Sequence, residues 1–184
     1  FTVHGYGLMI AIGVLSAYYM VEYRAKKKQM DWEKVFPLTV WSVLGGFLGS
    51  KILYLLTRLP DILANPVLLG SSIKDGFVVY GGIIGGILTA WIYCKCTKWN
   101  FWKIFDIAMP AVAMAQGFGR IGCLLAGCCY GIELDPANPI GIVFHNSAYA
   151  PNDVALLPTQ IISSVLDFAN CFVLLALSKK LKTD

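Results

Sequence analysis

Five long apolar segments, separated by shorter polar stretches, set the pattern of this chain. They cover about 5–24, 36–58, 77–95, 102–125 and 158–178. Each is close to the ~20 residues that a helix needs to cross the hydrocarbon core of a bilayer. The pattern therefore predicts an all-α, polytopic integral membrane protein with about five transmembrane helices. We expect them to form a single transmembrane domain over 1–184.

The composition supports a membrane-embedded chain. Hydrophobic residues make up 57% of the sequence and charged residues only 14%, and the mean hydropathy is +0.65. These values exclude an ordinary water-soluble domain of this length. The net charge of +4 is explained by membrane topology, and no nucleic acid partner is expected because no aromatic-basic binding module is visible.

The distribution of the fifteen Lys and Arg residues predicts the orientation. By the positive-inside rule, the side that carries most of them is cytoplasmic. The N-terminus is then outside, the C-terminus is cytoplasmic, and the loop at about 126–157 is extracytoplasmic. The first span is not expected to be a removable signal peptide, because its positive cluster follows the apolar stretch. The residues on the predicted cytoplasmic side are Arg24, Lys26, Lys27, Lys28, Lys34, Lys95, Lys98, Lys103, Lys179, Lys180 and Lys182.

The segment from Gly119 to Gly131 combines an arginine with several glycines and cysteines at the end of the fourth span. A cation at bilayer depth costs roughly 2.5–3.5 kcal/mol or more, so Arg120 indicates an anion site, a polar pathway or a charged partner. Glycines such as Gly119 and Gly122 permit close backbone approach, which suits a walled polar pocket. The alternative is a tight helix-packing corner whose arginine extends to the interface.

Three cysteines, Cys123, Cys128 and Cys129, lie at or beyond the same helix end. On the oxidising side of a bacterial membrane, a structural disulfide from Cys123 to Cys128 or Cys129 is favoured. The second hypothesis is that Cys128 or Cys129 acts as a nucleophile, with His145 in the same loop as its base. Either Asp153 or Asp135 would then orient the histidine. On the opposite side, the Cys94 and Cys96 pair is weak evidence for a metal site and weaker evidence for palmitoylation, and ordinary packing is favoured.

Two further pairs of residues have both a structural and a functional interpretation. Lys51 and Asp167 lie inside predicted spans, where they could form an ion pair or serve a site. Tyr6 and Tyr80 lie near span ends, where they could belong to the aromatic belt or to a site. The outer loop 59–75 is partly apolar and could lie in the membrane interface.

Short motifs along most of the chain resemble the bacterial phosphatidylglycerol–prolipoprotein diacylglyceryl transferases. The motifs are Phe1-Thr2-Val3-His4-Gly5-Tyr6-Gly7-Leu8-Met9, Gly49-Ser50-Lys51-Ile52-Leu53-Tyr54, Tyr80-Gly81-Gly82, the set Asp106, Pro110, Gln116, Gly119, Arg120 and Gly122, then Gly141-Ile142-Val143-Phe144 and Pro158-Thr159-Gln160. The set from Asp106 to Gly122 matches a signature of the family with the correct spacing, and the other motifs are similar to family segments. Taken together the motifs are specific, although no single one is.

The resemblance implies transfer of a diacylglyceryl group from phosphatidylglycerol to a cysteine thiol of a secreted prolipoprotein, with release of glycerol phosphate. It implies no cofactor and no metal, and it places the enzyme in the bacterial cytoplasmic (inner) membrane. Arg120 becomes the expected phosphate clamp, since its planar fork can hold two phosphate oxygens, and Tyr6 would orient the headgroup. The expected catalytic residues are Arg120, Tyr6, Tyr80, Cys128, Cys129 and His145. The expected lipid-binding residues are Arg120, Gly119, Gly122, Lys51, Gln116 and Gln160.

The chain also departs from the family pattern. Tyr80 replaces the family's histidine, and a tyrosine with a free pKa of about 10 is a poor base near neutral pH. Cys123 stands where the family has an asparagine, and Gly127-Cys128 where it has Gly-Glu. The family's last helix, with a tyrosine and an arginine, has no counterpart in these 184 residues. The acceptor is therefore left open. The alternative function is a membrane thiol–disulfide redox protein, or a thiol-metal carrier, that uses the three cysteines.

Overall fold

A computed structural model describes residues 5–65 and 76–180, and within them five helices are long and apolar enough to cross a membrane. The five predicted spans are therefore confirmed, with closely matching ends. In chain order the helices are α1 (Gly5–Lys27), a 3-10 turn (Trp32–Lys34), α2 (Val35–Thr57), the short α3 (Leu59–Ala64), α4 (Val79–Cys96), α5 (Phe101–Ala126) and α6 (Thr159–Lys180).

The prediction of an all-α chain needs one correction, in the loop between α5 and α6. Strand β1 (Ile142–Val143) pairs antiparallel with β2 (Ala155–Leu156), in the register Ile142 to Leu156 and Val143 to Ala155. Both residues of β2, Ala155 and Leu156, are buried. Further backbone hydrogen bonds stabilise the loop, from the Leu134 N–H to the Ala155 carbonyl at 2.8 Å and from the Asp153 N–H to the Phe144 carbonyl at 3.0 Å.

The interfacial segment predicted at 59–75 is described only in part. Leu59–Ala64 forms α3, with a proline in its first turn, where a missing N–H costs nothing. Residues 66–75 lie outside the described residues. The helices divide into two compact units, one made of Phe1–Lys27 with Phe105–Asp184 and the other of Lys28–Ile104.

In the Lys28–Ile104 unit, glycines let α2 and α4 pack with their backbones in direct contact. A methyl group added to Gly49 would overlap the carbonyl oxygen of Gly81 and would lie 2.9 Å from the Cα atom of Gly85. One added to Gly85 would overlap the carbonyl oxygen of Gly45. This is the small-xxx-small arrangement of membrane helix pairs, in which close van der Waals packing replaces the hydrophobic effect.

One end of this helix pair is closed by a small apolar cluster. Cys94, only 1% exposed, packs there with Leu38 and Ile104. The Tyr93 hydroxyl donates a hydrogen bond to the Lys34 carbonyl at 3.2 Å. Cys94 is thus a small core residue, in agreement with the packing interpretation of the Cys94 and Cys96 pair.

The other unit is built from α1, α5 and α6. A methyl group on Gly13 would lie 3.1 Å from the Ala115 carbonyl oxygen, so α1 lies close against α5. The buried Ser164 hydroxyl of α6 donates to the Gly117 carbonyl of α5 at 3.0 Å. Hydrogen bonds of this kind hold helices together in an apolar medium.

Arg24 connects the three helices of this unit at the end of α1. Its guanidinium donates to the Ser178 hydroxyl at 3.2 Å and to the Asp106 carbonyl at 3.4 Å. That carbonyl is available because Pro110, four residues later in α5, has no N–H to offer it. The proline therefore creates an acceptor that the arginine uses.

Candidate functional site

Tyr6 and the Gly119–Gly122 turn lie together at the end of α5. A methyl group on Gly122 would lie 3.2 Å from the Tyr6 ring and 3.3 Å from the Met9 Cβ, so α1 packs onto α5 at this glycine. At Gly119 the opposite holds, since nothing lies within 4 Å of an added methyl group. The arginine next to it, Arg120, is therefore flanked by a packed glycine on one side and an open one on the other.

Arg120 is half-buried and makes no hydrogen bond or ion pair with the described residues of its own unit. The carboxylate of Asp167 in α6 interacts electrostatically with the Arg120 guanidinium. One oxygen of this carboxylate, Oδ2, is buried and has no hydrogen-bond partner among the described residues. A cation and an anion thus lie in the same unit without the direct contact that would satisfy both. The ion pair between Lys51 and Asp167 would join the two units and stays a prediction.

The six cysteines of the chain all lie in described residues and are all free thiols, so the predicted disulfide from Cys123 is not formed in this structure. The sulfur atoms of Cys123, Cys128 and Cys129 nevertheless lie within 4.8 Å of one another. We call these three side chains the thiol cluster. The Tyr6 hydroxyl is close enough to interact electrostatically with all three.

Burial, together with the neighbouring Cys129 and Cys123 thiols, raises the pKa of Cys128 to about 12. A thiolate is disfavoured there because it would lose hydration and face further sulfur atoms that can carry negative charge. Cys128 is therefore a protonated thiol near neutral pH. This weakens the hypothesis that it acts as a nucleophile, since the thiolate is the reactive form.

The beginning of α6 holds the backbone of the thiol cluster. The Gln160 side-chain amide donates to the Cys128 carbonyl, and the Thr159 hydroxyl to the Cys129 carbonyl, both at 2.8 Å. Gln160 is only 1% exposed and positions the cysteine loop, and its predicted contact with lipid stays a prediction. Thr159 was not among the predicted site residues, although it lies in the Pro158-Thr159-Gln160 motif.

His145 and Asp153 form the pair that the sequence suggested. Nδ1 of His145 lies 2.7 Å from Oδ1 of Asp153, and both side chains are largely exposed. Asp135 is used differently, since its carboxylate accepts a hydrogen bond from the Ala137 N–H at 2.8 Å. Among the described residues, no hydrogen bond joins His145 to Cys128 or Cys129. The histidine is oriented by its aspartate, but not toward a nucleophile.

The remaining predicted site residues fall into both units. In the Lys28–Ile104 unit, Lys51 donates to the Gly76 carbonyl at 3.1 Å, and its Nζ lies 4.7 Å from the centre of the Phe77 ring. Tyr80, in the first turn of α4, is 74% exposed. Gln116 is exposed on α5. Lys51 thus has local partners, unlike Arg120.

The arrangement offers two kinds of chemistry at one end of the α1–α5–α6 unit. Arg120 presents a guanidinium that can bind a phosphate through two parallel hydrogen bonds. The thiol cluster presents three sulfur ligands, which is the donor set that soft metal ions prefer. Among the described residues, three or more His, Cys, Asp or Glu side chains are placed to hold a metal ion in this cluster.

Comparison with known proteins gives a consistent result. Residues 1–184 match the family model described as prolipoprotein diacylglyceryl transferase. A phosphatidylglycerol–prolipoprotein diacylglyceryl transferase of Clostridium tetani is 45% identical over 179 residues, covering 97% of this chain and 70% of that protein. The second such protein of Clostridium perfringens is 43% identical over 167 residues, covering 91% of this chain and 64% of its own length. One from Dehalococcoides mccartyi is 30% identical over 180 residues, covering 97% of this chain and 68% of that protein.

Proposed function

The chain belongs to the prolipoprotein diacylglyceryl transferase family, and we propose that it transfers diacylglyceryl from phosphatidylglycerol to the cysteine thiol of a prolipoprotein. Its relatives carry that activity in their names, and the chain spans 70% and 64% of the lengths of the first two. The names support no thiol redox or metal-carrier function. The alternative function stated above therefore has no support from the relatives.

The observation that carries the proposal is the state of Arg120. It lies in the helix turn between an open glycine, Gly119, and a glycine packed against Tyr6, Gly122. Its guanidinium is not neutralised by a direct ion pair within its unit. An unpaired cation at a membrane helix end is expensive unless an anion binds there. The phosphate of the donor lipid is such an anion.

In the proposed reaction, Arg120 acts on the donor. Two of its N–H groups bind two phosphate oxygens, which fixes the headgroup beside the helix end. The acceptor thiol gives its proton to water, its sulfur attacks the glyceryl carbon, and the bond from that carbon to the phosphate oxygen breaks, so negative charge grows on the departing glycerol phosphate. The fixed guanidinium stabilises that charge, which is the type of electrostatic help that lowers barriers most.

Tyr6 and the exposed groups near Arg120 supply orientation. The Tyr6 ring lies against Gly122, so its hydroxyl can hydrogen-bond the glycerol part of the headgroup while the ring position stays fixed. Gln116 is exposed on the same helix, one turn before Arg120, and can contact the lipid there. Lys51 and Tyr80 belong to the other unit, and their lipid-binding and catalytic roles stay predictions.

The proposed site faces the outer side of a bacterial cytoplasmic membrane. Eleven of the fifteen basic residues fall on the side that the rule makes cytoplasmic. The end of α5 that carries Arg120, and the loop with β1 and β2, then lie outside. This is where a secreted prolipoprotein presents its cysteine.

Donor turnover tests the proposal. The purified full chain is incubated with phosphatidylglycerol labelled in its headgroup and with a prolipoprotein peptide that contains the acceptor cysteine. Release of glycerol phosphate and lipidation of the peptide are measured together. We expect Arg120→Ala to lower turnover about 10²- to 10³-fold, the scale of losing one preorganised charge-stabilising group.

Arg58→Ala is the matched control. Arg58 is also a basic residue at a helix end, but it is exposed and already paired with Asp61 at 3.1 Å. It should retain wild-type turnover. An Arg120→Ala protein that is as active as wild type would remove Arg120 from the mechanism, and wild-type protein without lipidation of any thiol peptide would overturn the proposed function.

A further inference from the structure

The thiol cluster is formed by an unusual reversal of the chain just after α5. Cys123 lies in the last turns of the helix, and Cys128 and Cys129 follow its end at Ala126. Gly127 and Cys129 both adopt the left-handed conformation, with φ of 70° and 62°. These two positions turn the backbone back on itself. The turn brings the sulfurs of Cys128 and Cys129 to within 4.8 Å of that of Cys123.

This conformation is held in place from α6. A residue other than glycine, asparagine or aspartate rarely adopts positive φ, and it persists only where its surroundings impose it. Here the Cys128 N–H donates to the Cys123 carbonyl at 3.0 Å. The Gln160 amide and the Thr159 hydroxyl fix the carbonyls of Cys128 and Cys129, each at 2.8 Å. Three hydrogen bonds thus hold the backbone of the three cysteines in the conformation that gathers their sulfurs.

The spacing of the sulfurs fits one zinc ion. At a Zn–S distance of about 2.3 Å, three sulfurs around one ion lie about 3.8–4.0 Å apart. The separations in the structure are all within 4.8 Å, so each pair of sulfurs has to approach by at most about 1 Å to reach this range. Zinc normally has four ligands, and a site with three protein ligands leaves the fourth position to water or substrate.

We propose that Cys123, Cys128 and Cys129 bind one zinc ion whose fourth coordination position takes the acceptor cysteine of the prolipoprotein. This inference rests on the proposed function, because that function makes the acceptor a thiol. Zinc coordination deprotonates a thiol at neutral pH. It also holds the resulting thiolate beside the helix end that carries Arg120.

The reaction then balances without a separate base. On binding zinc, the acceptor S–H gives its proton to water. The bound sulfur attacks the glyceryl carbon, a carbon–sulfur bond forms, and the carbon–oxygen bond to phosphate breaks. The electron pair leaves with glycerol phosphate, whose charge Arg120 neutralises. The product is a neutral thioether, which is a weaker zinc ligand than a thiolate and dissociates.

The positions of the other candidate bases give a reason for a metal ion at this site. His145 is exposed, is bound to Asp153 and makes no hydrogen bond to the thiol cluster among the described residues. Tyr80 belongs to the other unit, where its side chain is 74% exposed. A metal ion supplies the deprotonation that these side chains do not.

The site is tested first by metal binding alone. Metal-free, full-length protein is titrated with Cd²⁺, whose bonds to thiolates give an ultraviolet charge-transfer absorption. We expect one tightly bound Cd²⁺ per chain, displaced by Zn²⁺. In Cys123→Ser, Cys128→Ser and Cys129→Ser the absorption should fall and the affinity should drop at least tenfold. Cys96→Ser, which removes an exposed thiol of the other unit, is the matched control and should bind as wild type.

The acceptor position is tested with Co²⁺ in place of zinc and no donor lipid. Adding the acceptor cysteine peptide should intensify the visible absorption of the cobalt, because a fourth sulfur joins it, whereas a peptide with serine at that position should not. Helical content and elution volume show whether each variant is folded. Absence of Cd²⁺ binding by folded wild type, or binding that survives all three serine variants, would overturn the site.

Turnover separates this inference from the proposed function. Metal-free protein should lose lipidation, and Zn²⁺ should restore it. If metal-free protein lipidates the peptide at the full rate in an Arg120-dependent manner, the transferase function stands and the zinc inference falls. If zinc binds but no preparation turns over phosphatidylglycerol, the proposed function falls and the acceptor role falls with it.

Discussion

The α2–α4 pair and the end of the α1–α5–α6 unit use glycine and cationic residues in opposite ways. In the pair, Gly49 and Gly85 are filled to backbone contact, and Lys51 has a carbonyl and aromatic rings as partners. At the end of α5, the space beside Gly119 is open and Arg120 has no direct partner within its unit. The first cation is satisfied by residues of its own unit, whereas the described residues of the second unit give Arg120 no direct partner.

Whether a glycine or a cation has partners within its unit distinguishes a packing region from a binding region better than its residue type does. Both regions are rich in glycine and both carry a cation at or near bilayer depth, so their sequences look alike. A cation that is paired within its own unit stabilises the fold of that unit. A cation without such a partner is available to bind an anionic ligand. The contrast therefore favours an anion ligand at the end of α5, whereas the roles of Lys51 and Tyr80 in the other unit stay predictions.

The largest effect is expected from filling a packed glycine. Gly49→Leu would place a side chain on the Gly81 carbonyl oxygen and the Gly85 Cα atom. Backbone atoms cannot rotate away, so we expect a loss at or above the ~1–3 kcal/mol of ordinary overpacking. Unfolding of the purified protein by denaturant in detergent micelles measures it.

Gly7→Ala is the control for this substitution. Nothing lies within 4 Å of a methyl group at Gly7 in α1. Alanine in a helix is roughly 0.5–1 kcal/mol more favourable than glycine, so stability should stay level or rise slightly. If Gly49→Leu unfolds at the wild-type midpoint, close contact of the two backbones is not what holds α2 to α4.

The helices were predictable because their signal is local. A run of about twenty apolar residues has one stable solution in a bilayer, and α2 and α5 begin and end close to the predicted positions. The β1–β2 pair was not predicted, since each strand has only two residues. Two residues are too few to show the alternation that marks a strand.

The thiol cluster was predictable only in part. The spacing of Cys123, Cys128 and Cys129 showed that the cysteines lie near the same helix end. It did not show that their sulfurs converge, because convergence depends on left-handed backbone at Gly127 and Cys129. It depends also on Gln160, which reaches the Cys128 carbonyl from 32 residues away. For this reason the sequence alone favoured a disulfide that this structure does not form, and it did not reveal the contact of Gln160 with the cysteine loop.

Thiol reactivity sharpens the contrast between the two units. Because burial and the neighbouring thiols raise the pKa of Cys128 to about 12, its thiolate fraction in metal-free protein is about a thousandfold below that of an ordinary cysteine near neutral pH. A thiolate-selective alkylating reagent should label Cys128 slowly. The rate should rise about tenfold per pH unit and should not level off below pH of about 11. Mass spectrometry of the labelled peptides reports each site separately.

Cys96, an exposed thiol of the other unit, is labelled in the same samples and reports the reagent's own behaviour. A Cys128 rate that reaches a plateau below pH of about 9 would show that the thiol cluster does not suppress ionisation. Adding Zn²⁺ should protect Cys128 and leave Cys96 unchanged, which links this measurement to the proposed ion.

The smallest effect is expected from the carboxylate that opposes Arg120. Asp167→Asn keeps the shape of the side chain and removes a negative charge that acts on the guanidinium. It also removes a buried carboxylate oxygen that has no hydrogen-bond partner among the described residues, so the fold should be retained. Because the negative charge of Asp167 no longer offsets the positive charge of Arg120, the arginine should bind the anionic donor more tightly.

The expected result is a KM for phosphatidylglycerol that falls about three- to tenfold, equivalent to at most about 1.4 kcal/mol. Asp61→Asn, which removes an exposed carboxylate paired with Arg58, should leave this KM unchanged. A KM that rises in Asp167→Asn would mean that Asp167 positions Arg120 for the phosphate. In that case Arg120 at the end of α5 would already be paired within its own unit, as Lys51 is in the helix pair. The two units would then not differ in how they use a cation.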